Sequence, residues 1–200
     1  WSETGLGVDK KRQRFFHDVH FPPTVGGFRH SLGTIYERYN IEGVRQTRAA
    51  AGLKTKYDFA GRGRTEYETQ WSLMAVWNKT YIKGIPGRQE STAIEGLGQI
   101  LRRDVNDKYD PRQGNLIDLD FGVHYPLKRK YDPLYRTGLR VQQWFPIGRR
   151  DVLTVRGEIG RVWPYNDYIP LGFGFRTGGA RSIRGYKYQS IGLHRGHAVV

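Results

Sequence analysis

The sequence predicts an all-β fold, an antiparallel transmembrane β-barrel, and three observations carry that expectation. Apolar and ionised residues alternate over several runs of about ten residues or more, the length of a tilted membrane-crossing strand. No stretch approaches the roughly 20 consecutive apolar residues of a spanning helix. Aromatic residues make up 14% of the chain, with 13 Tyr and 5 Trp, enough to furnish the interfacial girdles of such barrels. Alternation weighs most, because successive strand side chains point to opposite faces and a sheet between two media reads with a period of two. A hydrophobic content of 38% and a mean hydropathy of −0.67 are poor for a soluble core of 200 residues. They suit a barrel, in which only about half of each strand need be apolar.

The elements follow in chain order. The first thirty residues hold Gly5 and Gly7, a basic run at 10–14, Pro22, Pro23, Gly26 and Gly27, and read as one strand and a loop. Residues 31–39 form a second strand whose apolar side is not assignable. Over 44–57, Ala49, Ala51, Leu53 and Tyr57 oppose Arg48, Lys54 and Lys56. Over 65–77, Tyr67, Thr69, Trp71, Leu73, Ala75 and Trp77 oppose Glu66, Glu68, Gln70, Ser72 and Met74. Residues 92–103 form a strand of unassigned orientation. The clearest alternation lies at 115–125, where Ile117, Leu119, Phe121, Val123 and Tyr125 oppose Leu116, Asp118, Asp120, Gly122 and His124. Strands at 135–145 (Tyr135, Leu139, Val141 and Phe145 outward) and 151–163 (Leu153, Val155, Ile159 and Trp163 outward, with Arg161 an exception) complete the run. Turn chemistry separates them at 58–63, 83–87, 106–114, 126–133 and 146–150.

Alternating strands also build soluble β-sandwiches and lipocalin-like barrels. The polar faces here carry Glu66, Glu68, Asp118, Asp120, Arg136, Arg140, Arg156 and Glu158, and the apolar faces carry Tyr and Trp near strand ends. This favours lipid on the apolar side while leaving a soluble barrel open. The balance of 33 Lys+Arg against 19 Asp+Glu gives +14 and a pI near 10.1. That is the footprint of a nucleic-acid binder and equally of a surface facing anionic lipid. The corresponding alternative is a soluble basic β-protein gripping nucleic acid through Arg184, Tyr186 and the 10–14 run.

The chain has no cysteine, which excludes disulfides, thiol catalysis and thiolate metal sites. It starts at Trp1 without a signal-peptide pattern, and is read as a cut or processed end. His194 with His197, and His17 with His20, lack the further ligands of a tight metal site. Asp118 and Asp120 have no accompanying nucleophile or oxyanion donors, and Gly96-Leu97-Gly98 lacks the context of a nucleotide loop. No catalytic residue, metal ligand or cofactor is expected, and the chain does not read as an enzyme.

The most informative segment is 175–192, FRTGGARSIRGYKYQSIG. Gly178 and Gly179 permit tight backbone, and one guanidinium follows at Arg184 within Ser182-Ile183-Arg184-Gly185-Tyr186. A planar guanidinium suits a confined carboxylate, which it holds by two parallel bonds. This wording resembles the loop of the outer-membrane assembly and translocation barrels, the superfamily of TamA, BamA and FhaC, and is most similar to the TamA branch. Pro170 and the Asp-Pro-Arg-x-Gly wording at 110–114 are similar to that branch as well, whereas 171–175 departs from it.

The resemblance implies a partial barrel over 1–200, about eight to ten strands of roughly 16, without the POTRA domains or the closing strands. It implies that 164–200 is a long extracellular loop folding into the lumen. Arg184 would there meet a wall carboxylate, with Glu158, Asp118, Asp120, Glu66 and Glu68 as candidates in this chain. The implied place is the bacterial outer membrane and the implied role protein transport, in particular autotransporter assembly of the surface-antigen class. Implied partners are membrane lipid, nascent outer-membrane proteins and autotransporters, and a periplasm-spanning partner, but no nucleic acid. A two-partner secretion pore of the same superfamily is the sibling alternative, and a passive porin-like channel a third.

Overall fold

The computed structural model describes residues 1–9, 12–41, 44–82, 89–128, 132–163, 173–175 and 197–199, with backbone alone at 41, 44, 82, 89 and 197–199. Among the described residues there are ten strands: β1 (Ser2–Val8), β2 (Arg12–His20), β3 (Arg29–Ile41), β4 (Val44–Ala60), β5 (Thr65–Ile82), β6 (Gln89–Val105), β7 (Gly114–Pro126), β8 (Leu134–Ile147), β9 (Asp151–Trp163) and β10 (His197–Val199). They form one antiparallel sheet in chain order, each strand hydrogen-bonded to its sequence neighbours. Among the described residues there is no helix. The short connections use turn chemistry directly, with Gly63 and Gly148 at φ +63° and +66° in the β4–β5 and β8–β9 turns.

The first thirty residues depart from expectation, since they hold β1, β2 and the start of β3 in place of one strand and a loop. The reason is local. In β2 both faces mix ring and polar side chains, Phe15 and His17 on one, Phe16 and Asp18 on the other, so no clean period of two is legible. Strands also run further than expected into turn residues. β4 extends through Asp58 to Ala60, and Pro126 and Pro146 lie within β7 and β8. Within the 164–200 stretch read as one loop, His197–Val199 pairs with β9 at Ile159–Arg161.

Which medium bathes the apolar face is the question the fold answers. Leu53, Leu73 and Ile159 are 54%, 58% and 56% exposed, and Phe145, Leu153 and Val155 are exposed as well. These residues do not meet across a sealed centre; they project outward from the sheet. The large apolar residues run in register as Leu32, Leu53, Leu73, then Val123 and Tyr135 across successive strands. On the same outer face Phe28, Tyr57, Phe59 and Tyr67 stack in a row with centroids 4.4–5.5 Å apart, and Tyr135 stacks on Trp163. A broad apolar belt with aromatic margins is the outside of a membrane barrel.

The opposite face turns inward and is buried although largely polar: Gln46, Asn78, Thr80, Ser91, Glu95, Asp118 and His124 are all 7% exposed or less. Two small apolar clusters interrupt it, Ala50–Met74–Val76 with Ile35, and Leu134–Val162–Phe173 with Leu97 and Phe175.

Candidate functional site

The inner wall is a lattice of charges set by strand register. Asp118, Arg140 and Glu158 are direct partners across β7, β8 and β9. Arg140 Nε donates to Glu158 Oε1 at 2.7 Å and its Nη1 lies 3.4 Å from Asp118 Oδ2. Gln99 Nε2 donates to Asp118 Oδ1 at 2.8 Å, and Arg156 also holds Glu158. Asp120 accepts from Arg136 Nε and Nη2 at 3.1 and 2.6 Å. Glu68 and Glu66 sit on β5, Glu68 level with Asp118 across Leu101, and there Arg103 Nη1 reaches them at 2.7 and 3.6 Å and Lys108 Nζ at 3.5 and 3.6 Å.

The structure thus places Asp118 and Asp120 on β7 and Glu158 on β9, joined through Arg140 of β8, and sets Glu66 and Glu68 on β5, beyond β6. Each of the five already faces a cation of the wall. Arg184, with Ser182, Ile183, Gly185, Tyr186, Gly178, Gly179 and His194, lies outside the described residues.

One carboxylate missing from the sequence reading is the most enclosed. Glu95 on β6 is 2% exposed. Its Oε2 accepts from Arg48 Nη2 at 2.7 Å, reaching two strands across to β4, and its Oε1 lies 2.9 Å from His124 Nδ1 on β7. Arg48 is only 16% exposed, so this ion pair is shielded from water. The available signal was Glu95 and Arg48 each alternating with small outward residues, Gly96 and Ala49, but an orientation for 92–103 was needed to read it.

Part of the β9–β10 connection rests on the same wall. Phe173 is 1% exposed and packs on Leu134 and Val162, its ring centroid 5.6 Å from that of His124. Phe175 covers Gly138 and Gly160, which are paired across β8 and β9. Arg136 stands between wall and connection. Its guanidinium carbon is 4.6 Å from the Phe175 centroid and 5.8 Å from that of Phe173, and its Nη1 donates to the Phe173 carbonyl at 3.2 Å.

At one end of the sheet a polar cavity of about 460 Å³ opens between Arg29, Lys56, Asp58, Glu68, Gln70 and Gln99, among others. Beyond that end, in the β6–β7 turn, Asp107 Oδ1 accepts from the amides of Asp110 and Tyr109 at 3.0 and 2.7 Å. Those backbone donors hold its carboxyl below the usual carboxylate range. Among the described residues no group of three His, Cys, Asp or Glu could hold a metal ion.

Comparison with known proteins agrees with this geometry. The family model described as the Omp85 superfamily domain matches residues 7–198. The crystal structure of BamA from Haemophilus ducreyi lacking POTRA domains 1–3 superimposes with a TM-score of 0.71 at 16% identity, over 95% of this chain. This chain spans 41% of that one. No curated protein matches.

Proposed function

Because the chain belongs to the Omp85 superfamily, we propose that it serves the assembly or translocation of other outer-membrane proteins, with TamA-like assembly of autotransporters as the specific reading. Its place is the bacterial outer membrane. The observation that carries the proposal is the wall itself: an enclosed, charged inner face with Phe173 and Phe175 of the β9–β10 connection seated on it. Such a face can hold a charged loop that lipid could not accept. In this reading Arg184 exchanges into the wall lattice and stiffens the barrel, with Asp118, Asp120, Glu158, Glu66 or Glu68 as its acid. Clients are nascent outer-membrane strands. Strand addition to a sheet edge would recognise them through backbone hydrogen bonds, and among the described residues β1 pairs with β2 alone.

The test is Arg184→Ala in the intact protein, read as client insertion into the outer membrane at matched expression. Reduced insertion supports the role; unchanged insertion removes it. A two-partner secretion pore is the second reading, favoured by the polar cavity at one end of the lumen. It predicts export of a soluble client, whereas the first predicts a client embedded in the membrane. Conductance that persists without any client dependence would instead leave a passive channel.

A further inference from the structure

We propose that Phe175, seated in a notch made by Gly138 and Gly160, forms with Phe173 and Arg136 an anchor that fixes residues 173–175 of the β9–β10 connection to the inner wall. This anchor holds whether or not Arg184 is present. It rests on the geometry of the wall and needs no assumption about clients.

The notch is specific to one ring. A Cβ added at Gly160 would stand 2.8 to 2.9 Å from Cζ, Cδ2 and Cε1 of Phe175, and these are its nearest atoms. A Cβ at Gly138 would meet Phe175 Cε1 at 2.9 Å and the Asp120 carboxylate besides. Both glycines face inward at one register position on neighbouring strands. Together they leave a bare patch of backbone the width of a ring. Contrast Gly157, three residues along β9 and facing outward, where an added Cβ meets nothing within 4 Å. Glycine weakens strands, and at 138 and 160 the compensation is close approach of an aromatic face.

Arg136 unites the contacts. One guanidinium is hydrogen-bonded to Asp120 by two nitrogens, to the Phe173 carbonyl by the third, and lies within cation–π reach of both rings. Its plane, charge and donor fork are all used, so lysine cannot replace it. Phe173, wedged between Leu134 and Val162, removes its ring from water almost completely. Two rings flanking Gly174 thereby seat the chain at two points, a ring's width apart, before the Arg-Gly-Tyr segment begins.

The experiment exploits the absence of cysteine. In the full protein, with any cysteine outside residues 1–200 replaced by serine, Leu134→Cys places a lone thiol beneath Phe173, and its reaction with a water-soluble maleimide reports the anchor. Folding is verified for every variant by heat-modifiable gel mobility. Labelling is expected to be slow in the parent and in Arg184→Ala. It should rise at least about tenfold with Phe175→Ala or with Gly160→Ala, since labelling follows the population of the released state. Combining those two changes should add nothing beyond Phe175→Ala alone, because the added methyl acts only against that ring. Gly157→Ala is the matched control and stays slow. Should Gly160→Ala not fold, Phe175→Leu and Arg136→Lys carry the same expectation of faster labelling.

Rapid labelling of the parent, an inert Gly160→Ala, or additive effects in the double variant would each overturn the anchor. So would release by Arg184→Ala, which would make the motif the holding point. An Arg184→Ala variant that keeps slow labelling at position 134, whether client insertion is lost or unchanged, leaves the anchor standing, so the two proposals fail separately.

Discussion

Replacing Glu95 by Gln asks how much the enclosed ion pair contributes. The change keeps the shape of the side chain and removes its charge, leaving Arg48 without a carboxylate in a setting where it is only 16% exposed. Breaking a buried pair from one side costs about 3–5 kcal/mol, because the remaining charge stays desolvated. Arg48 keeps little to compensate, as its Nε already has no hydrogen-bond partner. The lower end of that range, ~3 kcal/mol, is the appropriate expectation, since Gln can still accept one bond from Arg48. With a urea slope of ~3 kcal/mol/M for a chain of this size, the unfolding midpoint should fall by about 1 M. The assay is urea unfolding in lipid vesicles followed by tryptophan fluorescence. Asp58→Asn gives the internal reference: its pair with Arg29 is about half exposed on both sides, so it should cost less than about 1 kcal/mol. Adding Arg48→Met to Glu95→Gln should recover most of the loss, because the stranded charge goes with it. A Glu95→Gln midpoint equal to that of Asp58→Asn would refute the claim that this carboxylate is shielded from lumen water.

Other outcomes follow from the same geometry. Leu73→Arg, on the outward face at 58% exposure, should lose about 2–4 kcal/mol in vesicles, whereas Gln70→Arg on the inner face should lose under ~1 kcal/mol; vesicle refolding yields at graded urea compare them. Gly52→Ala should cost about 2 kcal/mol, because the methyl would press on the Leu73 carbonyl and the Met74 Cα. Gly96→Ala, with nothing within 4 Å, should be neutral in the same unfolding assay. The Asp107 turn should loosen in acid. Its carboxyl is held below the ordinary value, so its contribution is complete above the unfolded-state pKa and disappears as pH falls through the lower folded one. Hydrogen exchange at the Tyr109 and Asp110 amides against pH measures it; protection unchanged down to full protonation would contradict the assignment.

The outward faces were legible wherever an apolar run alternated with ionised residues, as at Leu119, Leu139 and Ile159. There the two media leave opposite marks on odd and even positions. Legibility failed where both faces carry similar chemistry. On β6 the inward set includes Ala93, Leu97 and Leu101 beside Glu95, and the outward set includes Gly96, Gly98 and Arg102. Neither reads as lipid or water, and Glu95 was missed with the orientation. The inner face is also less uniform than a polar lining suggests, for Met74 and Val76 are buried on it. Phe173 and Phe175 could not be placed from sequence, because their seats, Leu134 with Val162 for one ring and Gly138 with Gly160 for the other, lie 37 to 39 residues upstream in β8 and closer by in β9. Only register brings Gly138 opposite Gly160.

Strand order equal to chain order has a kinetic meaning. Every pairing from β1 to β9 closes a short link, so the sheet can lengthen one hairpin at a time with little entropy lost at each addition. The final step differs. The 164–196 connection is roughly ten times as long as the 148–150 turn, and closing it costs ~2 kcal/mol more. Among the described residues, three pairs of β10 offset that cost. Docking β10 on β9 therefore carries the largest loop-closure cost among the described pairings, and whatever shortens the span to be closed lowers it.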